Sequence, residues 1–231
     1  MDISILHLFQ CDPRLNKGYE RWLVQHVDQF ITGINFPAFN KERHEIAVGG
    51  QSNDDLKPGI AAMGKHIIGG HSHCPEYFTI ESTNSDNKGQ VLHVWNCGSW
   101  IGPHPPHYVK AVIGGQVYFI TSDPHLGAPE FAQYARLFLE FLDFVDEQDA
   151  ILILVGDTAD YYACATPEQI VALYGPVVER LKKVKHLILL GGNHDYDLEL
   201  LKKLLDYKVR IPWVLNVSTD NTPELCEFKG K

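Results

Sequence analysis

Two textures of apolar and polar positions divide the chain. The run Ile3 to Phe9 is short and apolar, as a buried strand is. From Lys17 onward, Tyr19, Trp22, Leu23, His26, Val27, Phe30 and Ile31 recur at spacings of three and four, which predicts an amphipathic helix. Residues 33–58 carry Asn35, Pro37, Asn40, Gly49, Gly50, Ser52 and Pro58 as breakers and predict a loop or partial cap. Between Lys65 and Phe119 short strand-like runs follow one another: Ile67-Ile68, Tyr77 to Ile80, Val91 to Trp95, Tyr108 to Ile113, and Gln116 to Ile120. The last two are split by Gly114-Gly115, the signature of a tight hairpin.

Beyond that hairpin the pattern alternates. Helix is predicted around Phe131 to Phe144, strand over Ala150 to Val155 and helix near Pro167 to Lys183. Strand His186 to Leu190 and helix Leu198 to Leu205 complete the series. Strand and helix in alternation build a parallel or mixed sheet with crossover helices, so the class is α/β. No repeat, low-complexity tract or linker interrupts the 231 residues, and one domain over 1–231 is expected.

Composition narrows the function. With 45% hydrophobic and 21% charged residues the chain is an ordinary globular one. No apolar run reaches the length of a membrane span, and the start at Met1 has no basic leader. The five cysteines, at 11, 74, 97, 164 and 226, form no close pair, which fits a reducing cytoplasm. A formal charge of −9 disfavours nucleic acid as a partner. The excess is in histidine, 12 against 20 Lys+Arg, and together with 29 Asp+Glu it suggests divalent metal.

Four segments share one design, an apolar strand that runs into Asp, His or Asn beside glycine. Gln116 to Ile120 leads to Asp123-Pro124-His125-Leu126-Gly127, and Ile151 to Val155 leads to Gly156-Asp157-Thr158-Ala159-Asp160. Leu187 to Leu190 leads to Gly191-Gly192-Asn193-His194-Asp195, and Ile67-Ile68 to Gly69-Gly70-His71-Ser72-His73. Any one cluster alone fits a turn or a helix cap. Four together need that explanation four times over, whereas carboxyl ends of neighbouring strands naturally open into one crevice. Imidazole nitrogen with carboxylate and amide oxygen suits Mn, Fe, Zn or Ni, and the scarcity of Cys argues against a structural zinc.

These motifs resemble the calcineurin-like metallophosphoesterase superfamily, whose usual order is Asp-x-His, Gly-Asp-x-x-Asp, Gly-Asn-His-Asp/Glu, a lone His, then Gly-His-x-His. Here the last element comes first. Leu225 to Lys231 followed by Ile3 to His7 resembles the family's hairpin ending at the lone His, and Asn96-Cys97-Gly98-Ser99-Trp100 resembles its closing segment. The resemblance thus implies a circular permutation. Residues 1–113 would match the family's C-terminal half and 116–231 its N-terminal half, with 17–65 a partial cap. It also implies a four-layer α/β/β/α sandwich with two mixed sheets.

By the same resemblance, Asp123, His125 and His73 would hold one divalent ion and Asn193, His7 and His71 a second, with Asp157 bridging. Mn is the foremost candidate, ahead of Fe, Zn, Ni or Mg. His194 would act as hydrogen-bond donor or acid to the leaving oxygen, oriented by Asp160. The activity implied is hydrolysis of a small phosphorylated substrate, a phosphomonoester, phosphodiester or pyrophosphate, by metal-activated water. A different class of reading is a catalytically weak metal-binding scaffold that uses the same fold for protein contacts. Cys74 reads as a packed thiol rather than a soft ligand, His104 and His107 as a proline-stiffened rim, and Tyr161 and Tyr162 as wall or half-buried aromatics.

Overall fold

The computed structural model describes residues 1–8, 52–195, 197–206 and 211–230. The helix expected at 19–31 and the irregular stretch up to 51 lie outside the described residues. Among the described residues, ten strands form two five-stranded mixed sheets. The first has the order β3-β4-β2-β1-β9, with β1 Asp2–Leu6, β2 His66–Gly69, β3 Glu76–Glu81, β4 Val91–Asn96 and β9 Val214–Ser218. The second has the order β10-β5-β6-β7-β8. Its members are β5 His107–Ile113, β6 Gln116–Ser122, β7 Ile151–Val155, β8 Leu187–Leu190 and β10 Glu224–Glu227.

The first sheet has a parallel centre and antiparallel edges, whereas the second is parallel from β6 to its edge at β8 and antiparallel on the other side. β1, β2 and β4 run parallel, flanked by β3 and β9. β6, β7 and β8 run parallel, flanked by β5 and β10 beyond it. The facing sheets bury Ile3, Ile5, Ile68, Trp95, Ile120, Ile153 and Val155 between them. On the outer side of the second sheet lie α2 Ala135–Glu147, α3 Pro167–Leu181 and α4 Leu198–Leu204, whose Phe138, Phe141, Ile170, Val178 and Leu201 join the largest core. On the outer side of the first, α1 Asn53–Met63 packs Leu56 and Ile60 over Leu6, Ile67 and Val94. The result is the four-layer α/β/β/α order.

Two expectations are corrected. Residues 53–58 are helical, not irregular, despite Pro58. Ser52 caps the helix by accepting from the Asp54 amide at 3.1 Å, Gly64 closes it at φ 65°, and burial of Leu56 and Ile60 outweighs the one bond Pro58 forgoes. Nor does 225–231 form a hairpin with the His7 strand. β10 pairs with β5, Cys226 opposite Tyr108, while the antiparallel neighbour of β1 is β9, which the sequence pattern does not announce. Its faces explain the miss, since Val214 to Ser218 is only partly buried. The hairpin at Gly114-Gly115 does form, with Ile113 opposite Gln116 and both glycines at positive φ, 58° and 79°, as a two-residue turn of this twist requires.

Every parallel strand ends on the same side. β1 delivers His7, β2 delivers His71 and His73, and β4 leads into 97–100; β6, β7 and β8 deliver Asp123, Asp157 and Asn193. Among the described residues no helix is long and apolar enough to cross a membrane.

Candidate metal centre

The chain turns sharply at the loops that follow these strands. Among the described residues, seven that are not glycine have positive φ, and five of them are His71, His73, Asp123, His125 and Asp157. Such backbone costs about 1–3 kcal/mol per residue and persists only where surroundings over-determine it. The turn brings each side chain inward. His7, His71, His73, Asp123, His125, Asp157, Asp160 and His194 are all buried.

Their donor atoms converge. His7 Nε2 lies 3.0 Å from Asp123 Oδ1 and 3.4 Å from Asp157 Oδ2. His73 Nε2 is 3.4 Å, and His125 Nε2 3.7 Å, from that same Asp123 oxygen, and His125 Nε2 is 3.8 Å from Asp157 Oδ2. His73 and His125 point Nε2 at Nε2 across 3.3 Å. The rings of His7 and His71 meet edge to face at 5.0 Å. Three groups have donor atoms close enough to share an ion: His7, His71 and Asp157; His73, Asp123 and His125; and His125, Asp160 and His194.

The backbone frames these side chains. The second oxygen of Asp123 accepts the His71 amide at 2.9 Å, and Asp157 Oδ1 accepts the His194 amide at 2.7 Å, so loops from different strands are tied to each other's carboxylates. Asp160 Oδ1 accepts the amides of Tyr162 and Ala163, at 3.1 and 3.0 Å. Its Oδ2 sits 3.1 Å from both His125 Nδ1 and His194 Nδ1. An imidazole held through Nδ1 by a carboxylate presents Nε2 to a cation in a fixed tautomer and orientation.

Gly156 makes room for His7. It has φ 73°, and a Cβ there would run into the imidazole of His7. Asn193 is carried on the loop beside His194, and its buried Oδ1 has no hydrogen-bond partner among the described residues. An unpartnered buried amide oxygen is costly in a dry interior and suits a cation ligand. Two facing imidazole nitrogens fit a cation for the same reason: both lone pairs are usable only if something electropositive comes between them. The donor set therefore fits divalent metal.

The charges are mutually perturbed. Burial pulls His7 down, but Asp157 and Asp123 more than offset it and leave the imidazole above its usual value. Burial likewise opposes the charge on His125, yet hydrogen bonds to Asp123 and Asp160 hold it well above. His73 goes the other way, lowered by burial. Burial works against the Asp123 carboxylate, but His7, His125 and His73 keep it well below the usual carboxylate range; Asp157 is also lowered, against burial, by His7, His194 and His125.

Several residues at the centre were not given roles by the sequence. Asp195 accepts the Thr158 and Ala159 amides at 3.0 and 2.7 Å, bracing the Asp157 loop, and burial with the nearby Asp157 pushes its carboxyl up to about 8. It is the final residue of Gly-Asn-His-Asp, so its signal was in the motif. Asn53, Ser72 and Asn96 support the His71–His73 loop from behind; Ser72 and Asn96 lay in recognised segments, Asn53 did not.

Fold and site together define a two-sheet α/β protein whose parallel strands end at a buried histidine and carboxylate centre. A profile of the family described as calcineurin-like phosphoesterase matches residues 118–231, which begin in β6 and carry Asp123, His125, Asp157, Asp160, Asn193 and His194. Over these residues the chain is similar to that family, whose members are in general metal-dependent hydrolases of phosphoesters. No curated protein and no solved structure matches it.

Proposed function

We propose that the protein hydrolyses a phosphate ester, phosphomonoester, phosphodiester or pyrophosphate, at a dinuclear centre. The observation that carries this is the convergence of two donor groups, His73/Asp123/His125 and His7/His71/Asp157, on loops contributed by both sheets. In this reading Asp123, His125 and His73 hold one divalent ion, and His7, His71 and Asn193 the other, with Asp157 shared. When bound, two such ions supply positive charge that neutralises phosphate oxygens and acidifies water, with Mn the foremost candidate. His194 donates a proton or hydrogen bond to the leaving oxygen, and Asp160, 3.1 Å from its Nδ1, fixes the ring. The aromatic edge of Tyr162, 4.8 Å from the His194 ring, walls that side.

The order of elements supports a permuted family member. The family match starts at β6, while the His7 and His71–His73 loops that complete the centre precede it in sequence yet meet it in space. In this reading 1–231 is a single domain whose first part, 1–113, does the work of the family's C-terminal half.

The test is metal-dependent hydrolysis of aryl phosphate, bis-aryl phosphate and nucleoside diphosphate substrates with Mn added. Turnover of at least one, lost on chelation, is expected. Protein that carries two equivalents of Mn and hydrolyses none of them overturns the hydrolase reading in favour of a metal-binding scaffold.

A further inference from the structure

Behind the His71–His73 loop lies a closed set of polar side chains that touches no proposed metal ligand through its own side chains. Ser72 Oγ donates to Asn53 Oδ1 at 2.7 Å and accepts from Asn96 Nδ2 at 2.6 Å and from the Cys74 amide at 3.4 Å. Asn96 Nδ2 gives its second hydrogen to Asn53 Oδ1 at 2.8 Å, and Asn96 Oδ1 accepts the Gly98 amide at 2.9 Å. Asn53 Nδ2 donates to the Cys74 carbonyl at 3.1 Å and to Glu76 Oε2 at 2.7 Å. Every donor and acceptor of Asn53 is thereby used, and all three residues are buried.

We propose that Asn53, Ser72 and Asn96 are positioning residues that clamp the loop between His71 and His73 and so set the geometry of both ions at once. The proposal rests on the metal-centre reading above. Its ground is location. Ser72 separates two histidines whose backbones sit at φ 100° and 60°, conformations that histidine holds only under constraint, and those two histidines fall in the two different donor groups. One hydroxyl held from two sides fixes the residue between them. The clamp also reaches the opposite sheet. From Asn96 the chain continues to Gly98, whose carbonyl accepts the Ser122 hydroxyl at 2.7 Å, and to Trp100, whose amide donates to the Asp123 carbonyl at 3.0 Å. Asn53, at the start of α1, thus couples that helix to loops bearing His71, His73 and Asp123.

The experiment uses the full chain, stripped with chelator and titrated with Mn, with free Mn read by its EPR signal. Wild type should take up two equivalents. Asn53→Ala and Ser72→Ala should each weaken uptake by about 10- to 100-fold, the usual consequence of removing an outer support of a metal ligand, and at both sites rather than one. Because the residues act as one unit, the double variant should bind no more than about threefold more weakly than the worse single variant. In the metal-free protein, nitrogen-edited NMR signals of the His71 and His73 rings should move in both variants while those of His104 and His107 stay put. If an alanine variant does not fold, isosteric Asn96→Asp removes both Nδ2 donors, retains the acceptor for Gly98, and carries the same expectation. Wild-type uptake of two Mn with unchanged affinity in the variants, or losses that simply multiply, overturns the clamp alone. Wild type that takes up no Mn overturns the metal reading and the clamp as a metal-positioning device with it.

Discussion

His194 and Gly156 separate two things proposed for this centre, transferring a proton and holding its ligands. His194 is tied by its amide to Asp157, its Nδ1 stands 3.1 Å from Asp160 Oδ2, and its own ring belongs to neither of the two ion groups proposed as metal sites. His194→Asn should therefore leave Mn stoichiometry at two while kcat falls by about 10²-fold or more, the usual size of a general acid contribution. Unchanged turnover, by steady-state assay on whichever aryl substrate is active, would remove His194 from its role. Gly156→Ala should do the reverse. The added methyl meets the His7 imidazole and sits at φ 73°, so one Mn equivalent should be lost on titration and the melting temperature should drop, by about 1 kcal/mol or more of stability. A variant with two tightly held Mn and wild-type melting would show that His7 is not a ligand.

At the level of elements, the helices behind the second sheet hold themselves by local rules that the site does not use. α3 opens with a full capping box: the Thr166 hydroxyl accepts the Gln169 amide, the Gln169 side chain returns to the Thr166 amide, and Pro167 takes the first helical position. Thr166→Ala should cost about 1 kcal/mol in a thermal or denaturant melt and leave hydrolysis unchanged, since the cap is exposed and its hydrogen bonds stay within the first turn of α3. Such rules also govern what was legible. The alternation from Phe131 to Leu205 translated into α2, β7, α3, β8 and α4 almost residue for residue, because strands buried on both faces and amphipathic helices have distinct periods. The first turn of that stretch was less so, since Pro129–Gln133 is a 3-10 turn before α2 begins at Ala135. α1 was hidden by Pro58, whose single lost bond is outweighed by packing that only tertiary structure supplies. β9 went unannounced and β10 has another partner than its sequence suggests for a complementary reason: strand pairing is non-local, and half-exposed edge strands carry little hydrophobic pattern to say which sheet they join. The ligand loops, by contrast, were readable because their residue types are set by chemistry rather than by burial. The clamp behind them was not, because Asn and Ser are common everywhere and acquire meaning only when brought within hydrogen-bond reach.

For the molecule as a whole, the centre makes metal and protons competitors. In the metal-free protein His7 and His125 have raised values, so their protonated forms persist above the ordinary imidazole value of about 6.5. Their stabilising contribution is complete below that value and fades as pH rises through the folded-state value. Asp123 and Asp157 are lowered, so what they contribute is present above about 3.9 and fades as pH falls through their folded-state values. Asp195, raised to about 8, adds a penalty that grows as pH rises from about 3.9 toward that point. His73, lowered by burial, adds a penalty below about 6.5 that the gains at His7 and His125 oppose, so metal-free protein should melt higher near pH 6 than at pH 8. A cation held by His7 and His125 displaces their protons, so calorimetry in buffers of differing ionisation enthalpy should report proton release on Mn binding, and affinity should climb with pH. Proton release near zero, or a stability maximum above pH 7 without metal, would contradict these charge assignments.

The left-handed backbone at His71, His73, Asp123, His125 and Asp157 carries a consequence for which sequences this centre can tolerate. Asn, Asp and His are the side-chain-bearing residues that enter that region most readily, and they are also small or flat donors of oxygen and nitrogen. Handedness and ligation therefore select the same short alphabet at these positions. Glutamate and cysteine could bind a cation as well, but neither shares that backbone preference, so each loop admits fewer substitutes than coordination chemistry alone would allow. A centre filtered twice in this way leaves an unusually plain trace in sequence.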